Sequence, residues 1–259
     1  MRLSSAAFFD LDNTVMQGAS LYYLARGLAA RRYFTTSDLV KFGWKQLRFR
    51  VSANEHAGDI SEARSAALAF IQGWQVEDVR RLSEEIFDEL MKDRIWAGTR
   101  ALAQAHLDRG ERVWLITAAP VELGMVIAEH LGITGALGTV AEIHDGLYTG
   151  HLVGDMLHGP AKEVAVRALA AAEELDLTDC FAYSDSVNDL PMLGAVGHPV
   201  AVNPDAALLR HARANQWDIK DFRSGRKAVK VAVPATLAAG VLAGAVLSGV
   251  ALNRRRHRL

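Results

Sequence analysis

The residues with the clearest chemical potential stand in three short clusters, each at the end of an apolar run. The clusters are residues 10–14 (DLDNT), 117–120 (TAAP) and 185–189 (DSVND), and Lys162 lies alone between the last two. Several carboxylates at one point repel each other, which favours a bound divalent cation, and ligands that are all oxygens suit Mg²⁺. If the clusters meet in the fold, they predict a site for a metal ion and a phosphate group.

Such a site could break a phosphate ester in two steps. One carboxylate can attack phosphorus and form a covalent intermediate. A second carboxylate, two residues further along the chain, can protonate the leaving oxygen and then activate water. A hydroxyl and an ammonium group can stabilise the phosphoryl oxygens while charge is redistributed.

The surrounding sequence predicts the elements that would position these clusters. Residues 6–9 form an apolar run that indicates a buried strand. From residue 99 onwards strand and helix patterns alternate, which predicts a parallel sheet with crossover helices, and Asp145-Gly146 indicates a hairpin. Ligands of such sheets bind at the carboxyl ends of the strands. Between about residues 20 and 96 helical periodicity dominates, so we expect an all-helical insert there.

The order of these motifs resembles the haloacid dehalogenase superfamily of phosphohydrolases. DLDNT, ITAAP, an isolated lysine and YSDSVNDLPML occur in the expected order, and the resemblance spans roughly residues 6 to 215. Within the superfamily, the chain is most similar to subfamily IB, which contains phosphoserine phosphatase. The resemblance implies a Mg²⁺-dependent phosphoric monoester hydrolase with a phosphoryl-aspartate intermediate, and a helical insert that acts as a mobile cap over the substrate.

The resemblance also assigns a role to each matching position. Asp10 matches the nucleophile and a metal ligand, while Asp12 matches the general acid/base and supplies a metal ligand through its backbone carbonyl. The positions that match phosphate-binding residues are Thr117, Ala118, Lys162 and Asn188. The remaining metal positions are Asp185, which matches a direct ligand, and Asp189, which matches a residue that orients the direct ligands without binding the metal itself.

The chain departs from the phosphoserine phosphatase pattern in two places. Ser184 and Ser186 stand where the last motif usually has glycine. Ala19 and Ser20 stand near the position of a cap-side glutamate that reads the substrate amino group. The expected substrate is therefore a small phosphate ester or a lipid phosphate.

We expect an α/β fold with a Rossmann-like parallel-sheet core and three regions. Residues 1–16 and 97–222 would form the catalytic core, residues 17–96 the helical cap, and residues 223–259 a C-terminal segment with an apolar helix. Transfer of the phosphoryl group to an acceptor other than water stays open. A non-catalytic, membrane-tethered binding or scaffold protein on the same fold is the alternative from another class.

Charge and composition exclude several other functions. Lys+Arg 29 nearly balances Asp+Glu 30, but eight of the basic residues and no acidic ones follow residue 222. Residues 1–222 thus carry a net charge of −9, which argues against a nucleic-acid partner. A zinc site is not expected, because there is one cysteine and the histidines lack a compact ligand spacing.

The C-terminal segment predicts membrane association. Residues 231–252 contain no charged residue, approach the length that spans a hydrocarbon core, and have basic residues on both sides. Small residues recur four apart at Gly240, Gly244 and Ser248, as in packed membrane helices. We expect a cytoplasmic catalytic domain attached to the membrane by this segment. A helix packed on the body, or one lying in the membrane interface, is the alternative.

Overall fold

The computed structural model describes residues 5–33 and 71–223 of the 259-residue chain. The chain divides into two compact units, Met1–Lys220 and Asp221–Leu259, and only residues 221–223 of the second are described.

Six strands of the described residues form one sheet in the order β3-β2-β1-β6-β7-β8, and every neighbouring pair is parallel. A separate antiparallel hairpin is formed by β4 and β5. The predicted parallel sheet is therefore confirmed, and so is the hairpin around Asp145-Gly146. The strands are β1 (Ala6–Asp10), β2 (Arg112–Pro120), β3 (Gly135–Thr139), β4 (Ala141–His144), β5 (Leu147–Leu152), β6 (Phe181–Ser184), β7 (His198–Val202) and β8 (Asp218–Lys220).

Helices alternate with these strands, as the sequence pattern indicates. Within the core, α3 packs against β2 and β1, and α4 packs against β2 and β3. Pro160 occupies the first turn of α5, where its missing N–H costs no hydrogen bond. The helices of the described residues are α1 (Ser20–Ala30), α2 (Val76–Ile86), α3 (Ala97–Asp108), α4 (Val121–Leu131), α5 (Pro160–Ala172), α6 (Leu190–Gly194) and α7 (Ala206–Ala214).

The centre of the sheet is the most deeply buried part of the chain. Every residue of β1 is buried, which is typical of a central parallel strand covered on both faces. Phe8 and Phe9 point to opposite faces, so each face of the sheet gains one large aromatic ring. The parallel pairing of β1 with β2 and β6 places Asp10, at its carboxyl end, opposite Ile116.

The described part of the predicted cap is helical. It comprises α1 and α2, a π-helical turn (Phe87–Met91) and a 3₁₀ turn (Lys92–Arg94). The first two helices approach closely, since a Cβ on Gly27 would lie 2.5 Å from the side chain of Ile86. Residues 34–70 lie outside the described residues, and the proposed boundaries of cap and core stay predictions.

The cap also contacts the core directly. The Arg80 guanidinium donates to both carboxylate oxygens of Glu129 on α4 at 3.0 Å. The ring of Phe87 lies 4.5 Å from that of His130, between centroids. Where the chain leaves and re-enters the core, Met16 pairs with Ile95 in an antiparallel bridge. The two chain segments that connect the core to the cap are thereby paired with each other.

The predicted apolar segment, residues 231–252, lies outside the described residues. Within residues 5–33 and 71–223, no helix is both long enough and apolar enough to cross a membrane.

Candidate active site

The sheet topology brings the three polar clusters to one edge. Strands β2, β1 and β6 are immediate neighbours, and the clusters follow or overlap their carboxyl ends. Asp10 is the last residue of β1 and pairs in register with Ile116, so Thr117 lies one residue beyond it on β2. Asp185 directly follows β6. The convergence expected from the sequence is therefore observed.

Lys162 on α5 connects two of these clusters. Its Nζ donates to Asp10 Oδ1 at 2.6 Å and to Asp189 Oδ2 at 2.7 Å. All three residues are buried, with exposed fractions of 3% for Lys162, 6% for Asp10 and 2% for Asp189. Long charged side chains are almost never buried in this way without a partner, so Lys162 is not a solvated surface lysine.

The Asp10 carboxylate is held on both oxygens. Lys162 binds Oδ1, and the Thr14 hydroxyl donates to Oδ2 at 2.9 Å. Thr14 is itself fixed by the core, because the Thr99 hydroxyl donates to its carbonyl oxygen at 2.8 Å. Because each carboxylate oxygen of Asp10 has its own donor, the carboxylate is held in one orientation at the end of β1.

The Asp12 carboxylate contacts the first residue of the cap. Its Oδ1 accepts a hydrogen bond from the backbone N–H of Ser20 at 2.8 Å, at the start of α1. The N-terminus of a helix carries unpaired N–H groups and a partial positive charge, both of which suit a carboxylate. Asp12 therefore lies at the junction between the first motif and the cap.

Crowding of carboxylates changes the acidity of the site. Burial raises the pKa of Asp10 to about 7, and the nearby Asp189 and Asp12 carboxylates add to this, while Lys162 acts in the opposite direction. Burial, with the charges of Asp10 and Asp189, raises the pKa of Asp185 to about 8. Burial would lower the pKa of Lys162, but the carboxylates of Asp10 and Asp189 outweigh it and raise that pKa, so the ammonium stays charged.

These residues fit a Mg²⁺ ion. Within the described residues, no group of three or more His, Cys, Asp or Glu side chains is arranged to hold a metal by itself. Mg²⁺ does not need such a cage, because it keeps several waters and is commonly bound through one or two carboxylates and a substrate phosphate. The Asp10 carboxylate raises the pKa of Asp185, and a cation bound by both carboxylates would relieve that repulsion.

The remaining predicted residues differ in how closely they approach this centre. Thr117 is buried, and its Oγ1 accepts a hydrogen bond from the N–H of Ala119 at 3.1 Å. The carbonyl of Ala118 accepts from the Thr139 hydroxyl at 2.7 Å, which fixes the Ala118–Ala119 peptide. Asn188 lies on the exposed side of its 3₁₀ turn, and its backbone N–H donates to Ser186 Oγ. The phosphate contact of Asn188 stays a prediction.

The two serines that depart from the glycine pattern are both used. Ser184 donates from its hydroxyl to Asp189 Oδ2 at 2.8 Å, and Ser186 caps the 3₁₀ turn Val187–Asp189. Asp189 thus receives donors from Ser184 and Lys162 on the same oxygen. The hydroxyl at position 184, which a glycine would lack, thus fixes the carboxylate of Asp189 that binds Lys162.

Three residues with site contacts are absent from the sequence-based set. Thr14 orients Asp10, and Asn203 and Asp205, after β7, contact the turns that carry the other aspartates. The signal for Asn203 and Asp205 is the run Val202-Asn-Pro-Asp, which is a fourth polar cluster at the end of an apolar strand.

Comparison with known proteins gives the same assignment as the geometry. The family of haloacid dehalogenase-like hydrolases matches residues 7–194. "Phosphoserine phosphatase SerB1" of Mycobacterium tuberculosis is 53% identical over 256 residues, which cover 99% of this chain and 82% of that protein. "Histidinol-phosphatase" of Neisseria meningitidis is 28% identical over 230 residues, covering 85% of this chain and 100% of that protein.

A solved structure of a Bordetella pertussis protein of unknown function has a TM-score of 0.75 and 27% identity. It covers 85% of this chain and 99% of the other. The sheet order, the buried lysine–aspartate contacts and these similarities agree with one another. The chain belongs to the haloacid dehalogenase-like hydrolase family, and it is a phosphatase of that family.

Proposed function

We propose that the protein is a Mg²⁺-dependent phosphomonoester hydrolase that forms a phosphoryl-aspartate on Asp10. The observation that carries this proposal is the buried contact of 2.6 Å between Lys162 Nζ and Asp10 Oδ1 at the carboxyl edge of the sheet. A structural ion pair does not need this location, whereas a nucleophile does, because ligands of open α/β sheets bind at that edge.

In the first step, a carboxylate oxygen of Asp10 attacks phosphorus and the ester P–O bond breaks. Asp12 donates a proton to the leaving oxygen, so that the alcohol departs neutral. The Lys162 ammonium lies beside the attacking carboxylate and stabilises the negative charge that passes to the phosphoryl oxygens. Thr117, which lies one residue beyond the position opposite Asp10 on β2, would bind one of those oxygens.

In the second step, water attacks the phosphorus of the phosphoryl-aspartate, and Asp12 accepts a proton from it. The bond between phosphorus and Asp10 breaks, inorganic phosphate leaves and the Asp10 carboxylate is restored. Asp10, the backbone carbonyl of Asp12 and Asp185 would hold Mg²⁺. When bound, the ion neutralises charge on the carboxylates and on the substrate phosphate.

Asp189 keeps the lysine in place throughout this cycle. When Asp10 carries the phosphoryl group, its carboxylate charge is lost and the negative charge lies on the phosphoryl oxygens, so Lys162 no longer has the Asp10 carboxylate as an ion-pair partner. The second contact, at 2.7 Å to Asp189, keeps the ammonium paired at that stage. Ser184 fixes Asp189 in turn.

The substrate class we propose is a phosphate ester of an amino alcohol. Phosphoserine and histidinol phosphate, which the names of the two relatives point to, are both such esters. No acidic residue stands in the first turn of α1, so the amino group would be recognised by other residues than in the phosphoserine phosphatase pattern. Lipid phosphate is the competing class, and its support is the predicted apolar segment at residues 231–252.

The test is Mg²⁺-dependent phosphate release from a panel of esters by the full chain, with Asp10→Asn as the matched control. The panel contains phosphoserine, histidinol phosphate, a sugar phosphate, a nucleotide and lysophosphatidic acid in detergent. We expect release from the amino-alcohol esters that needs Mg²⁺ and is lost in a folded Asp10→Asn protein. Release that persists in that variant would refute the role of Asp10, and no release from any ester would favour the scaffold alternative.

We also propose that the catalytic domain is cytoplasmic and attached to the membrane through residues 231–252. The support for membrane attachment is the length of the uncharged run and the basic residues on both of its flanks. Deletion of residues 228–259 should move the protein from the membrane fraction to the soluble fraction and leave phosphate release unchanged. An unaltered membrane fraction after this deletion would contradict the proposal.

A further inference from the structure

The loop that follows β7 contacts both turns that carry the expected metal ligands. It consists of residues 203–205, between β7 and α7, and we call it the 203–205 loop. We propose that Asn203 and Asp205 are positioning residues that set the relative placement of the Asp12 and Asp185 turns, and that Mg²⁺ affinity depends on them. This inference rests on the proposed Mg²⁺-dependent function.

Asn203 reaches the first motif. Its side-chain amide donates from Nδ2 to the backbone carbonyl of Asn13 at 3.1 Å, across 190 residues of sequence. The peptide that begins with this carbonyl directly follows the Asp12–Asn13 peptide, whose carbonyl is the expected metal ligand. A hydrogen bond to the adjacent carbonyl therefore restricts rotation of that turn.

The loop itself is fixed where Asn203 lies. Asn203 is 3% exposed and its backbone N–H donates to the carbonyl of Lys220 on β8 at 2.8 Å. Its φ of +48° is in the left-handed region, which asparagine tolerates better than most residues. Asn203 can thus turn the chain away from β7 and present its amide to Asn13 at the same time.

Asp205 holds the last motif from the other side. Its backbone N–H donates to the carbonyl of Asp185 at 2.7 Å, and its Oδ2 accepts from the N–H of Val187 at 2.9 Å. Its other oxygen, Oδ1, caps α7 by accepting from the N–H groups of Ala207 and Leu208 at 2.8 and 2.7 Å. One carboxylate therefore joins the start of a helix to the turn that bears Asp185.

Both residues act through the turns they hold. Mg²⁺ demands nearly ideal octahedral geometry, and its ligands come here from two strands that are separate in sequence. Loss of a partner that orients a metal ligand typically lowers metal affinity by about 10–100-fold. We expect that effect on Mg²⁺ binding, with a smaller effect on turnover once Mg²⁺ is saturating.

The test compares four variants of the full chain. Asn203→Gly removes the amide but accommodates the left-handed φ, and Asn203→Asp keeps the size while replacing the donor with an acceptor. Asp205→Ser keeps a cap for α7 but is too short to reach Val187 as well. Asp176→Ser is the matched control, because Asp176 caps a 3₁₀ turn that has no part in the site.

Mg²⁺ binding is measured by calorimetry and by the rise in melting temperature on titration with the metal, alongside phosphate release. We expect the Mg²⁺ dissociation constant to rise about 10-fold or more in the Asn203 and Asp205 variants and to stay unchanged in Asp176→Ser. Folded variants that lose stability in EDTA but bind Mg²⁺ like the wild type would overturn the inference. If one variant does not fold, the remaining one at the other position carries the same test.

The two proposals fail in different ways. A wild-type chain that neither binds Mg²⁺ nor releases phosphate would overturn the proposed function and this inference with it. A wild-type chain that does both, with variants that match it, would overturn the inference alone.

Discussion

Replacement of Lys162 by methionine should destabilise the metal-free protein far more than a change at an exposed cation. Methionine keeps most of the length of the side chain and removes only the charge. Two buried carboxylates, Asp10 and Asp189, then lose the ammonium that lies within 2.6 and 2.7 Å of them. Breaking a buried ion pair by removal of one partner costs about 3–5 kcal/mol. Arg167→Met, on the same helix, is the matched control, because Arg167 is about half exposed and an exposed pair contributes at most about 1 kcal/mol.

The cost should depend on pH in a defined direction. Burial already raises the pKa of Asp10 to about 7, and loss of Lys162 removes a contribution that lowers it. In the variant the folded protein therefore binds more protons than the unfolded chain, whose aspartates titrate near 3.9. Its stability should rise as the pH falls from about 8 to about 5, because the orphaned Asp10 carboxylate becomes protonated.

A second substitution separates this explanation from a packing defect. Asp189→Asn in the Lys162→Met background removes one of the two orphaned charges, so the double variant should be more stable than Lys162→Met alone by about 1–3 kcal/mol. Urea unfolding in EDTA, followed by circular dichroism, gives the free energies of unfolding of the wild type, the two single variants Lys162→Met and Asp189→Asn, and the double variant. Additive effects of the two substitutions, or a cost no larger than that of Arg167→Met, would refute the electrostatic reasoning.

Three further changes have defined outcomes. Ser20→Pro removes the N–H that binds Asp12 at a position where a helix accepts proline, so release of the alcohol from an alkyl phosphate in a single turnover should slow by about 10-fold or more, while release from an activated aryl phosphate, whose leaving group needs no proton, should change little; Ser20→Ala keeps the N–H and should behave like the wild type in the same assay. The metal-free wild type should lose stability as the pH rises from about 5 to about 8, because the raised pKa values of Asp10 and Asp185 mean that the folded state binds more protons than the unfolded chain. Saturating Mg²⁺ should abolish this dependence of the melting temperature on pH. Gly197→Ala should cost at least about 2 kcal/mol in urea unfolding, since its Cβ would lie 1.8 Å from a main-chain oxygen, and an unchanged midpoint would show that the loop relaxes.

The sequence was sufficient to predict the sheet and the convergence of the aspartates. The apolar run of residues 6–9 identifies β1 in the sequence. The rule that ligands bind at the carboxyl ends of parallel strands then places Asp10 and Asp185 at one edge of the sheet. The position of Lys162 followed from the resemblance alone, because its surroundings on α5 carry no sign of burial. Its contacts with Asp10 and Asp189 are visible only in the folded chain.

Other features depend on contacts between distant residues, which periodicity does not reveal. The bond from Asn203 to Asn13 joins residues 190 positions apart, and the use of Ser184 depends on the side to which one hydroxyl points.

The most direct test of the central claim is chemical trapping of the phosphoryl group. The full chain is mixed with Mg²⁺ and the best substrate of the panel, quenched during turnover, treated with borohydride and digested for mass spectrometry. An acyl phosphate is reduced to an alcohol, so the account predicts homoserine at position 10, absent when substrate is omitted. Phosphate release at a normal rate with an unmodified Asp10, or with the reduced residue at another position, would contradict it.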